Sequence, residues 1–222
     1  MLKPRKRITK QVLKEDKLVT YTFKLNAYIR KNAKKIGYIT LILVFFIFVI
    51  SVMYLSKKRS ESNAISEVGI AQLIYESGDI TVAKDAFEEI LSKYNGTKGA
   101  GISTYYIGDY YYKLNEFDEA KKYFQKYLDD YGDNDILTSS AISGIAACLE
   151  EKREYLQAAE YYMRAAEKFP NSFTAPRNLI DMGRCYELAG MKSEAEKAYK
   201  QIIENYSSSI YAREANIMLD LL

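Results

Sequence analysis

The sequence predicts an all-α protein. One N-terminal transmembrane helix leads into a helical-repeat solenoid of about four helix pairs, closed by a C-terminal capping helix. Three observations predict it. Ile36 to Leu55 contains no charged residue. A five-position pattern recurs four times between Ala71 and Tyr199. Charge is segregated, basic before residue 60 and acidic after it.

Residues 1–35 carry twelve Lys/Arg against two acids, Glu15 and Asp16, and read as a basic cytoplasmic tail. They begin MLKPRKRITK and continue as a partly amphipathic helix. Leu18, Leu25 and Ile29 fall near one helical face with Tyr21 and Tyr28 beside them. Lys17, Lys24, Arg30, Lys31, Lys34 and Lys35 are interleaved. Such a helix could lie on anionic lipid or dock on a cytoplasmic partner such as RNA. It could equally be a flank whose charges only set topology.

Residues 36–55, IGYITLILVFFIFVISVMYL, match the bilayer core, since a helix of this length spans about 30 Å. Tyr38 and Tyr54 stand near the two ends, where amphipathic rings suit the headgroups. A buried core helix of this length would normally carry a polar face. A cleaved signal peptide would have a shorter basic region, a shorter apolar run and a small-x-small site after it. A retained signal anchor is therefore expected, meeting the lipid bilayer through Ile36–Leu55. The basic excess before it keeps the N-terminus in the cytoplasm and sends residues 60–222 across the membrane. Lys57, Lys58 and Arg59 weaken this bias without reversing it. Gly37 is the lone glycine of the run, so no GxxxG dimerisation face exists. Residues 56–63 are expected as a linker and 64–222 as the repeat domain.

Each repeat shows a small residue, a large apolar residue three later, a turn, an alanine, then an aromatic four later. The four sets are Ala71, Ile74, Gly78, Ala83, Phe87; then Gly108, Tyr111, Asn115, Ala120, Phe124; then Ala146, Leu149, Arg153, Ala158, Tyr162; then Gly183, Tyr186, Gly190, Ala195, Tyr199. The small residues let paired helices approach, and the large ones fill the space between pairs. A single pair cannot bury its apolar face alone, so pairs stack. After Ser207-Ser208-Ser209, the helical period of Tyr211, Ala215, Met218 and Leu222 marks the cap.

These residues resemble the tetratricopeptide repeat (TPR) over about 64–222. Gly183-Arg184-Cys185-Tyr186-Glu187-Leu188-Ala189-Gly190 with Ala195 is close to its helix–turn–helix signature. Phe169-Pro170-Asn171-Ser172 gives its inter-repeat break. The alanine spacing exceeds the family's ~34 by three or four residues, read as an extra helical turn or a longer linker, as at Asn95–Gly99. Arg153 stands where the turn usually has Gly. The resemblance implies binding of proteins or peptides in a concave groove built from first helices. By position, that groove would hold Tyr75, Tyr105, Asp109, Tyr112, Arg184 and Glu187. Val68 and Gln72 occupy the places of the Lys and Asn that some members use to clamp a carboxylate.

Little else points to chemistry. The chain has no His, which removes the commonest general base. Cys148 and Cys185 take one position in adjacent repeats, too far apart for an unstrained disulfide, and read as small core residues. Acid pairs such as Glu150-Glu151 are adjacent and cannot face each other on a helix. Asp133-Asn134-Asp135 reads as a helix cap rather than a calcium loop. No catalytic residue, cofactor or metal is predicted, so an enzyme is not expected. The acidic repeats exclude nucleic acid there.

The arrangement of basic tail, anchor and exported acidic repeats resembles the bacterial ancillary Sec-translocon subunit (YfgM-like) family. That implies a membrane-anchored adaptor in protein translocation or chaperone hand-off, with the Sec translocon or periplasmic chaperones as partners. Two alternatives stay open: a scaffold of outer-membrane assembly or envelope division, and an organelle-membrane receptor facing the cytosol.

Overall fold

The computed structural model describes residues 17–222, with side chains from Thr20 onward. The opening MLKPRKRITK of the tail lies outside the described residues. All regular structure among those described is helical: α1 (Lys17–Lys31), α2 (Ala33–Glu76), α3 (Ile80–Lys93), α4 (Lys98–Lys113), α5 (Phe117–Asp130), α6 (Asp135–Glu151), α7 (Tyr155–Lys168), α8 (Ala175–Leu188), α9 (Lys192–Asn205) and α10 (Ile210–Leu221). The chain divides into two units, Met1–Ser56 and Lys57–Leu222.

In the first unit, the large apolar side chains between Tyr38 and Leu55 are all unburied. Thr40 turns its hydroxyl back onto the Ile36 carbonyl, 2.9 Å away, so its polar atom is satisfied within the helix. Among the described residues, α2 is the one helix long and apolar enough to cross a membrane. Residues 56–63, expected as a linker, are helical and belong to α2. Lys57, Lys58, Arg59 and Glu61 are good helix formers, and neither Gly nor Pro interrupts the stretch. Packing then holds it from Ala64 onward, which is fully buried.

The second unit is a run of helix pairs: the end of α2 with α3, α4 with α5, α6 with α7, and α8 with α9, with α10 packed on α9 and α8. The repeated positions do what their sizes dictate. A Cβ on Gly108 would stand 2.9 Å from the Phe124 ring, and one on Gly183 would stand 2.3 Å from the Tyr199 ring. In these two pairs the aromatic of the second helix therefore seats on the glycine of its own first helix. Ala83, Ala120, Ala158 and Ala195 are fully buried between them. Cys148 and Cys185 are buried free thiols in the same core, and burial pushes both up to about 12.

Every turn within a pair is three residues long. Each contains one left-handed residue: Gly78 (φ 100°), Asn115 (φ 61°), Arg153 (φ 62°) and Gly190 (φ 76°). At the last three, the left-handed residue and its successor close back on the helix. Arg153 N–H meets Glu150 C=O at 2.8 Å and Glu154 N–H meets Leu149 C=O at 2.8 Å, the Schellman pattern. The joints between pairs vary instead, over 94–97, 131–134, 169–174 and 206–209. Thr97, Asn134 and Ser209 cap the helices that follow. The extra length of the repeat resides in these joints and in the longer first helices α4 and α6.

Candidate functional site

The first helices are tied along one side by side-chain bonds between successive repeats. Gln72 donates to the Tyr106 hydroxyl (3.1 Å), and the Tyr75 hydroxyl donates to the Asp109 carboxylate. The Ser143 hydroxyl meets Asn178 Oδ1 at 2.8 Å. Arg184 donates twice to the Glu150 carboxylate, at 2.9 Å each. The partners in these bonds are 34 or 35 residues apart, whereas the core alanines recur at 37 or 38. The difference is about one helical turn, so each first helix meets its neighbour one turn out of step.

This side opens into a cleft of about 260 Å³ centred on α6. Its floor is small: Ser140, Ser143, Gly144 and Ala147 follow one another at helical spacing along α6. Gly144 is required, because a Cβ there would lie 2.7 Å from the Phe124 ring beneath it. One wall is Tyr105, Asp109 and Tyr112 from α4. The other is Arg177, Asn178 and Asp181 from α8.

Tyr105 and Tyr112 are each pushed up to about 12 by burial, so both stay neutral donors at any physiological pH. Tyr75 is shifted upward by burial and by its bond to Asp109. Lys113 sits 3.4 Å from the same Asp109 oxygen and 4.1 Å above the Tyr75 ring. Burial lifts the Asp181 carboxyl, against the opposing pull of Arg184 and Arg177. Asn178 is 3% exposed and its amide nitrogen has no partner among the described residues, although its oxygen has one. An unpaired buried donor is costly unless something meets it.

The structure brings three of the residues expected in the groove, Tyr105, Asp109 and Tyr112, to one wall, with Tyr75 joined to them through Asp109. Arg184 is turned onto Glu150 and Asp181 and is absent from the lining. Glu187 accepts the Tyr199 hydroxyl at 2.6 Å in the last pair. The α6 floor and the α8 wall were missed. Their signal was the offset: stepping by 35 from Tyr105 and Tyr112 gives Ser140 and Ala147, both on the cleft floor.

Models of the tetratricopeptide repeat match residues 68–135, 141–172 and 178–209, together more than half of the chain. No curated protein matches it. Among solved structures it is similar to MamA from Desulfovibrio magneticus RS-1, with 17% identity, 70% of this chain and 82% of that one covered, and a TM-score of 0.56. It is also similar to a tetratricopeptide repeat protein from Parabacteroides merdae, with 16% identity, 72% and 59% covered, and a TM-score of 0.59. At such identities the likeness concerns the fold.

Proposed function

Because the chain belongs to the tetratricopeptide repeat family, whose members are generally non-enzymatic scaffolds that bind proteins or peptides, we propose that it is a membrane-anchored adaptor. Ile36–Leu55 spans the bilayer and the repeats bind partners on the extracytoplasmic face, in protein translocation or chaperone hand-off. The observation that carries this reading is the apolar run of α2. Among the described residues none buries its large side chains, and basic residues flank it. A stretch of that length costs least in hydrocarbon. The excess of Lys/Arg on its N-terminal side supports a cytoplasmic N-terminus, and the acidic repeats need no nucleic acid. The cleft over α6, walled by tyrosines and a partnerless Asn178 amide, is the surface offered to a partner.

The test is crosslinking of the full-length protein in its native membrane, with photoreactive groups at Ser140 and Ala147. Translocon subunits, exported precursors or chaperones captured from both positions support the reading. Outer-membrane assembly or division proteins would replace translocation with an envelope scaffold. Cytosolic partners at the repeats would reverse the orientation and favour an organelle receptor.

A further inference from the structure

We propose that α1 is a lipid-binding helix, lying on an anionic bilayer surface with Tyr21, Leu25, Tyr28 and Ile29 toward the acyl chains and its lysines toward the headgroups. This rests on the reading that Ile36–Leu55 spans the membrane.

Three observations carry it. First, Leu18, Tyr21, Leu25, Tyr28 and Ile29 follow the spacing of one helical stripe. The last four are 72%, 60%, 64% and 44% exposed in that order, with nothing among the described residues burying them. Second, positions 17, 24 and 31 are all lysine, seven apart, and form a row bordering the tyrosine edge of that stripe. No acid occurs between Lys17 and Ser60, and the two acids that precede the helix, Glu15 and Asp16, are outnumbered by the twelve Lys/Arg of residues 1–35. Third, α1 ends at Lys31, five positions before the apolar run begins. Once that run is inserted, α1 is held within reach of the headgroups.

An anionic surface uses both faces together. Leucine and isoleucine enter the acyl boundary, tyrosines take the interface, and lysines meet phosphate. RNA would use the lysine row and leave Leu25 and Ile29 in water. The bend this requires falls at Asn32, the single residue between α1 and α2. Its side chain donates at 3.0 Å to the Tyr28 carbonyl, which also accepts its own backbone N–H at 3.0 Å. Phe23 lies beyond the lysine row and has no place in the arrangement.

The chain has no tryptophan, so one introduced residue reports alone. Full-length Phe45→Trp, Leu25→Trp and Asn26→Trp proteins are placed in nanodiscs of phosphatidylcholine, with or without phosphatidylglycerol, carrying brominated acyl chains. Phe45→Trp is expected to be quenched in both. Leu25→Trp should be blue-shifted and quenched only when phosphatidylglycerol is present, while Asn26→Trp stays water-like. Replacing Lys24 or Lys31 by Gln lowers the engaged-to-free ratio about fivefold each. A water-like Leu25→Trp in anionic discs, equal behaviour of Leu25→Trp and Asn26→Trp, or a shift seen only on adding RNA overturns the proposal. An unquenched Phe45→Trp removes the spanning reading itself. A quenched Phe45→Trp beside a water-like Leu25→Trp removes this inference alone.

Discussion

Gly183→Ala sets two effects of one methyl group against each other. Within a helix, alanine is favoured over glycine by about 1 kcal/mol. At Gly183, however, the added Cβ would stand 2.3 Å from Cε1 and 2.6 Å from Cζ of Tyr199. The ring cannot yield easily: Tyr199 is fully buried and its hydroxyl is fixed to Glu187 at 2.6 Å. Overpacking of this kind costs about 1–3 kcal/mol and more where nothing gives. The steric cost exceeds the propensity gain, leaving a net loss of about 1–2 kcal/mol. For a chain of this size each kcal/mol moves Tm by about 2–4 °C. Gly69→Ala is the internal control, since nothing lies within 4 Å of its Cβ and the same methyl should raise Tm slightly. Thermal unfolding of the full chain in detergent, followed by far-UV circular dichroism, reads both. Adding Tyr199→Leu to Gly183→Ala should recover about 1 kcal/mol of coupling. A Gly183→Ala protein at least as stable as the parent would refute the account of how first and second helices close.

Arg153→Gly should stabilise the chain by about 0.5–1 kcal/mol, because an L-residue at φ 62° carries a left-handed penalty that glycine lacks. A lower Tm would mean that the arginine side chain contributes more than its backbone costs. Cys148 and Cys185, pushed up to about 12 by burial, should resist a thiol reagent at neutral pH and react together only as the repeats unfold. Reaction of either thiol in the native protein would contradict their burial. Burial raises Asp181 above its ordinary value of 3.8. Its contribution to stability is therefore fully present below that value and is lost as pH rises through the folded one. Asp181→Asn, measured against the parent by denaturant unfolding, should gain relative stability as pH rises from below 3.8 upward, whatever constant offset the lost contacts with Arg177 and Arg184 introduce. A flat or falling difference would place the carboxylate in water.

Much of this fold could be read from residue size alone. Gly108, Gly183 and the four buried alanines announce close helix approach, and Phe124 and Tyr199 fill what the two glycines leave. Asn134 could be assigned to a cap because a short acceptor before Asp135 has a backbone N–H within reach, and it meets Leu137 N–H at 3.0 Å. The helical state of 56–63 was less legible, because its Ser, Lys and Arg look like a polar connector, while nothing in it breaks a helix. The cleft was only half legible for a different reason. Its α4 wall is rich in tyrosine and stands out in any reading. Its α6 floor is Ser, Gly and Ala, residues chosen for being small, and its α8 wall depends on a one-turn slip between neighbouring helices that no single repeat encodes.

The constant three-residue turns and the variable joints give this molecule an uneven tolerance of insertions. A residue added at 152–154 would break the Arg153 and Glu154 closure and part a helix from the partner it seats on. A residue added at 94–97 or 169–174 would leave each pair whole and rotate the next one slightly. Lineages that lengthen the joints can therefore re-aim one wall of the cleft against another while every pair keeps its core, so the shape presented to a partner can diverge faster than the units that build it.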